Sequence, residues 1–347
     1  MCFQGDQLKN KEDIRVLNRA EYYSSTEYPE LVQYAIKQQH SNWLHTDAGV
    51  ANDLHSILVD ISEQERKAII YVLKLFVHYE LRLGSNFWAA IGNTMPRAEV
   101  QRMGAVFANM EIAVHSPFYA EVNRLLGLDN PTFYLEYKEN PILVDRMKFL
   151  EDNCNLGKNA TVMEILLTLA TLSFIEGVVL YSSFALLKSF QSNGHNEIPN
   201  IVTGVDYVVV DEQLHSEGAA ALFHILLREA DLHFLELQEL VEGVTRLARE
   251  VEEHEFEIIN EIFVGGDLPS ISKEGAKDFI RDRSNLVLSY LVEGFSVQVT
   301  NSKEVAPWFY KSIGAPILTD FFNRTATEYT RNWNEKDLAW RVHDDNE

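Results

Sequence analysis

The sequence predicts an all-α fold. Apolar residues recur at steps of three and four along most of the chain, Pro is scarce at 9 residues, and no rhythm of short alternating strands and turns appears. With 347 residues and 46% hydrophobic content, the chain can bury a large core, as one unusually big domain or two ordinary ones.

Ser62 followed by Glu65 has the form of a capping box, which opens a helix over Glu63 to Ile91. Asn93 and Pro96 end that helix and start the next, from Arg97 to about Leu126. LGLDNPTF reads as a turn and PILVDRMKFL as a shorter helix. Asn159 or Thr161 opens a long helix through Ser189, closed by SNGHNEIPN. Thr203 caps a helix from Gly204 to about Leu232. Further helices run from about Phe234 to Phe263, stopped by GGDLP, and from Lys273 to Glu293. From about Asn323 the chain is polar, dotted with aromatics and ends in DDNE, as a mobile tail would.

A net charge of -22 excludes nucleic acid or an anionic membrane as the main partner, because both reward clustered Lys and Arg. Cys2 and Cys154 are the only cysteines and form no CxxC pair, which points to a reducing cytoplasm and chemistry without thiolates. MCFQGDQLKNKED has no apolar stretch of signal-peptide length, and greasy runs such as AIIYVLKLFV are broken by lysine well short of a membrane span. The expectation is a cytoplasmic enzyme or a subunit of one, with no membrane and no nucleic acid.

Each of the four long helices up to Leu232 carries a glutamate inside its apolar stripe. Glu80 shares a face with Ile69, Leu73, Phe76, Leu83 and Phe87; Glu176 with Leu169, Leu172 and Val179. Glu111 and His115 lie in line with Phe107, Tyr119 and Val122, and Glu212 and His215 are i, i+3 neighbours in line with Val208 and Ala219. One such Glu is usually half-exposed or paired with Arg, and one core His is usually just hydrogen-bonded. Four acids together are another matter: burying each unpaired carboxylate costs on the order of several kcal/mol, against a net stability of roughly 5–15 kcal/mol. No Arg or Lys lies in these stripes. Two divalent cations carry as much positive charge as four carboxylates carry negative, with two neutral imidazoles as further ligands. Oxygen and imidazole donors without thiolate suit iron or manganese better than structural zinc. Di-iron and di-manganese carboxylate bundles take one Glu from each of two helices and a Glu-x-x-His from each of the other two.

On these residues the chain resembles the radical-generating small subunit of class I ribonucleotide reductases, a ferritin-like helical bundle with a dinuclear metal site in its core. The resemblance runs from about Trp43 to Phe223 and returns in DFFNRTATEYT. It implies that Glu80, Glu111 and His115 hold one metal, and Glu176, Glu212 and His215 the other. Tyr119 in HSPFY matches the radical tyrosine. Trp43 in SNWLHTDAG and Asp211 in VDEQLH match the hydrogen-bonded pair that links a histidine ligand to the surface. Tyr329 in TEYTRNW resembles the tail tyrosine that relays the radical. The implied activity is that of a ribonucleoside-diphosphate reductase small subunit: the metal pair activates dioxygen to generate a tyrosyl radical, which passes to a large catalytic subunit that reduces ribonucleotides to deoxyribonucleotides. Residues 1–324 would form the radical-generating domain and 325–347 a flexible tail for that partner, with a homodimer as the family expectation. Two iron ions are the first choice of cofactor, with manganese–iron or two manganese ions behind. Apolar neighbours Phe107, Phe118, Val208 and Phe223 would shield the radical.

The chain departs from the family pattern in three places. EIAVH has one residue more between acid and imidazole than EQLH, so a π-bulge or a shifted helix is expected there. Glu80 takes a position that is Asp in many relatives and Glu in the manganese–iron type, which generally lacks a tyrosine at the place of Tyr119. The tail ends in DDNE without the terminal Phe or Leu common in the family, leaving Trp333, Leu338 and Trp340 as apolar anchors. The rival is a stand-alone ferritin-like di-metal oxidase or oxygenase, which has no use for a relay through Asp211, Trp43 and Tyr329. A ferritin-like iron store has no use for Tyr119.

Overall fold

Helices, and no β-strand, build the described residues of the computed structural model, which are 11–23, 26–153, 156, 159–292 and 302–311. The first is α1, Pro29–His40, with proline in its first turn. Helix α2, Glu63–Arg82, starts at the predicted capping box: Ser62 Oγ accepts from the Glu65 N–H at 3.2 Å and Glu65 accepts from the Ser62 N–H at 2.8 Å. A wide π-helical turn, Leu83–Trp88, continues it, followed by α3, Ile91–Thr94. Helix α4, Ala98–Met110, passes through a second π-helical turn, Glu111–His115, into α5, Ser116–Leu125. The expected turn at LGLDNPTF contains a short helix, α6, Pro131–Leu135, capped by Asn130. Then come α7, Pro141–Asn153; α8, Val162–Gly177; and α9, Tyr181–Ser189. The last three are α10, Pro199–Ala230; α11, Phe234–Ile262; and α12, Lys273–Leu291.

Two predicted boundaries are corrected. The run from Thr161 to Ser189 is two helices, because the backbone leaves helical geometry at Val178 and Leu180 takes a left-handed φ of 73°. Thr203 caps nothing: it sits inside α10, its hydroxyl donating to the Pro199 carbonyl at 2.8 Å. The cap comes from far away in sequence, where Asp53 accepts from the Ile201 N–H at 2.7 Å and the Asn200 side chain at 2.6 Å.

Helices α8 and α10 pack against each other extensively in the core. Ser173 and Ser216 donate to each other's backbone carbonyls at 2.9 and 2.7 Å, and a Cβ on Gly177 would stand 2.5 Å from Ser216 Oγ. Small residues here let the backbones approach, which carries Glu176 toward Glu212 and His215. The stretch Val162–Ser189 is apolar enough to cross a membrane by composition, yet 78% of its most apolar window is buried within the protein. Its greasiness is that of two consecutive core helices.

The extra residue of EIAVH is absorbed as a π turn, one of the two expected outcomes, and Pro117 supplies a reason. Proline lacks an N–H and its ring would clash with the carbonyl four residues earlier, so a regular turn over 113–117 is disfavoured. The Ser116 N–H bonds instead to the Glu111 carbonyl, as does its hydroxyl at 2.9 Å. The two π turns pack on each other: a Cβ on Gly84 would lie 2.7 Å from Glu111 Cβ.

Candidate metal centre

Glu80 from α2, Glu111 and His115 from the second π turn, Glu176 from α8, and Glu212 and His215 from α10 meet in the interior, each at most 3% exposed. Their donor atoms fall into two groups, each within 4.8 Å across: Glu80, Glu111, His115 and Glu212, and Glu111, Glu176, Glu212 and His215. The six predicted residues are therefore together, but the division differs from three and three. Glu111 and Glu212 belong to both groups.

No Lys or Arg forms an ion pair with these acids among the described residues, and both oxygens of Glu80, both of Glu212, Glu111 Oε1 and His215 Nδ1 have no hydrogen-bond partner. His215 Nδ1 approaches Glu111 Oε1 to 2.6 Å yet lies off the hydrogen-bond axis, so the lone pairs converge on common space rather than on one another. Buried acceptors without donors are the signature of a cation site. A dinuclear metal centre fits this donor set.

The outer partners fix the imidazoles. His115 Nε2 lies 3.1 Å from Asp211 Oδ2, which also accepts from Trp43 Nε1 at 2.9 Å. Gln38 donates through Nε2 to Asp211 Oδ1 at 2.6 Å, which turns its Oε1 toward His215 Nε2 at 3.1 Å. When neutral, both histidines therefore keep their proton on Nε2, held by Asp211 and Gln38, and present Nδ1 inward, where metals bind imidazole. Trp88 Nε1 orients Glu176 at 2.6 Å. The sequence reading brought Trp43 and Asp211 to this place but missed Gln38 and Trp88, for which no local pattern speaks. Gln38→Ala would leave the His215 tautomer unguided, and a 10–100-fold fall in metal affinity is expected, roughly the usual effect of removing such a partner; equilibrium titration against a chelator measures it, and unchanged affinity contradicts the role.

Tyr119 is buried at 1% exposure, its hydroxyl has no hydrogen-bond partner, and its ring stacks on Phe76 at 4.1 Å with Phe118 edge-on at 4.9 Å. Burial first, then the charges of Glu80, Glu212 and Glu111, push its phenol well above the ordinary range. Phe107 lies 4.3 Å from the His215 ring, and Val208 and Phe223 are buried on α10. Tyr329 and the rest of the expected tail lie outside the described residues.

Without metal the cluster neutralises itself. Burial, reinforced by Glu212 and Glu111, holds Glu80 and Glu176 protonated, well above the carboxylate range. Burial acts the same way on Glu111 and Glu212, but the two imidazoles outweigh it and keep both below that range. Burial opposes charge on the histidines too, yet Glu111 wins, raising His115 well above normal and His215 to about 9. Stabilisation from the raised histidines is full below their unfolded pKa of about 6.5 and is lost as pH rises through about 9. Metal binding has the opposite sign, because ions require the protons to leave. Near pH 7, loading with two divalent ions should release about four protons, and affinity should fall as pH is lowered. Calorimetry of anaerobic metal titrations in buffers of different ionisation heat counts them; release of none contradicts the protonated cluster.

The family model described as ribonucleotide reductase, small chain, matches residues 20–293. The chain belongs to that family. Membership as a small chain of this oxidoreductase, which makes deoxyribonucleotides, implies a large-subunit partner. It is 24% identical over 328 residues to a probable ribonucleoside-diphosphate reductase small subunit of Invertebrate iridescent virus 3, covering 90% of this chain and 85% of that one. The counterpart in Invertebrate iridescent virus 6 is 25% identical over 348 residues, covering 91% and 95%. The small-chain fold is shared with a Bacillus halodurans structure assigned to class I ribonucleotide reductase, at TM-score 0.72, 19% identity and 82% and 100% coverage. It is shared also with dimanganese(II) NrdF of Streptococcus sanguinis, at TM-score 0.71, 18% identity and 85% and 99% coverage.

Proposed function

We propose that this small chain generates a tyrosyl radical at Tyr119 for a class I ribonucleoside-diphosphate reductase, acting as a cytoplasmic homodimer with its large subunit. The carrying observation is the pairing of a partnerless buried phenol with six converging metal donors. Glu80 and His115 would serve one ion, Glu176 and His215 the other, and Glu111 and Glu212 both. Iron is the preferred metal, with manganese–iron or two manganese ions as alternatives. When bound, the metal pair supplies one-electron oxidising power drawn from dioxygen. Tyr119 gives up one electron and its phenolic proton; Phe76 and Phe118 keep water away from the ring. Asp211 links His115 to Trp43 through two hydrogen bonds, a route along which the oxidising equivalent leaves the buried centre toward the surface. That chain favours the reductase over a stand-alone oxygenase, which gains nothing from it.

Residues 1–324 are proposed as the radical domain and 325–347, with Tyr329, as the segment that engages the large subunit. Deleting residues after Arg324 should leave the radical yield unchanged while nucleotide reduction with the large subunit falls at least tenfold. Turnover assays alongside EPR measure both; undiminished turnover removes the tail from the route.

A further inference from the structure

Leu180 takes a left-handed φ of 73°, a conformation that a residue with a Cβ holds only when its surroundings impose it. It is buried in the break between α8 and α9, just beyond Glu176. In a continuous helix the Gly177 carbonyl would accept from the Tyr181 N–H. Here that N–H bonds the Val178 carbonyl at 3.1 Å instead, and the Gly177 carbonyl accepts from Arg283 Nε at 2.8 Å, reaching from α12 across 106 positions. The same guanidinium lies 4.0 Å over the centroid of the Tyr181 ring. Arg283 thus grips the last residue of α8 and the first residue of α9, one on each side of the strained turn. It is fully buried, and its remaining donors fix its own place: Nη2 bonds Gln213 Oε1 at 2.9 Å, next to Glu212 on α10, and Nη1 bonds the Tyr310 hydroxyl at 3.2 Å.

We propose that Arg283 is the positioning residue that holds this break and thereby sets Glu176 at the metal centre. The inference rests on the assignment of Glu176 and His215 to one ion made above. The break lets two packing demands be met at once. The last turn of α8 stays against α10, where Gly177 meets Ser216, while α9 starts afresh with Tyr181 against Phe279 and Phe184 stacked on Phe76. Trp88 Nε1 orients the Glu176 carboxylate, and Arg283 holds the backbone behind it. Without the guanidinium the Gly177 carbonyl becomes a buried acceptor robbed of its donor, and nothing offsets the strain at Leu180. The chain over 177–181 then relaxes toward continuous helix and carries Glu176 away from Glu212 and His215. Glu80 and His115 stand on other elements and keep their places.

Arg283→Met keeps the stem of the side chain and removes its fork of donors. In metal-free crystals of this variant Leu180 should leave the left-handed region; a φ that stays near 73° overturns the proposal, whatever the metals do. In anaerobic titrations with manganese(II), the ion at Glu80 and His115 should keep its wild-type affinity, while the ion at Glu176 and His215 weakens by about 10–100-fold, roughly the usual effect of removing a supporting partner. Anomalous scattering at the manganese edge tells the two positions apart. Equal weakening of both ions, or of neither, assigns Arg283 to packing and overturns the role. Adding Leu180→Gly should restore most of the lost affinity, because glycine takes a positive φ without steric cost and no longer needs the grip. A packing defect would instead deepen with the loss of a buried leucine, so absence of recovery breaks the link between turn and metal. If Arg283→Met does not fold, Arg283→Lys, which keeps a charged donor without the fork, carries the same test with a smaller loss at the same ion and the same recovery. If Glu176 touches no ion in wild type, the assignment above fails, and the conformation of Leu180 in the variant still decides what Arg283 holds.

Discussion

Replacing Tyr119 with Phe is expected to abolish the tyrosyl absorption and EPR signal of protein loaded with ferrous iron and exposed to air, while the bound metal stays at its wild-type amount. The specificity of that loss follows from the surroundings of the phenol. Its hydroxyl is buried and has no hydrogen-bond partner, so removing it breaks no bond and relieves a desolvation penalty of about 1–3 kcal/mol. The ring remains, and with it the stack on Phe76 at 4.1 Å. The melting temperature should therefore be equal or slightly higher, which separates lost chemistry from lost structure. Burial first, and then the acids around it, raise the pKa of Tyr119 and so keep the proton on the phenol at rest, and oxidation must remove proton and electron together. Phenylalanine has no such proton to give. An unchanged EPR signal in the variant would move the radical to another residue.

What could be read from the sequence follows how local its cause is. The convergence of the six candidate donors was legible because each sits on an apolar stripe whose period is set by the helix itself, and Ser62 with Glu65 announced a cap through residues three apart. The π turn was half legible: EIAVH is one residue too long and Pro117 stands just beyond it, both visible without a structure. The break after Gly177 was not: the residues packed against that glycine, Ser216 and Val287, come from helices far along the chain. The same holds for the start of α10, where Asp53 reaches across 148 positions to bond Ile201. Gln38 looks like any polar residue in KQQHS; only folding brings it to Asp211, 173 positions away. The sharing of Glu111 and Glu212 between the two donor groups depends on side-chain directions at a convergence of helices, which periodicity does not encode.

That sharing leads to the second large effect. Glu212→Ala should lower the metal content at both positions, to below about half of wild type, whereas Glu80→Ala should deplete one position and spare the other. Glu212 belongs to each four-residue group, with Oε1 3.2 Å from His115 Nδ1 and Oε2 3.5 Å from His215 Nδ1. Without it each group keeps three donors, and three carboxylates face two divalent ions, leaving net positive charge in a dry interior. Glu80 belongs to the first group alone, so its loss leaves Glu111, Glu176, Glu212 and His215 intact. The metal-free protein should also suffer. Glu212 joins Glu111 in holding both His115 and His215 charged, with Asp211 adding to the hold on His115, and removing one partner of a buried ion pair costs about 3–5 kcal/mol. Glu212→Gln retains the shape and isolates the charge, so it should lose metal with less damage to packing. Anomalous scattering on both sides of the iron and manganese edges reads the occupancy of each position and names its metal. Full occupancy of both positions in Glu212→Ala would show that the carboxylate is no ligand, and depletion of one alone would restore the division into three and three.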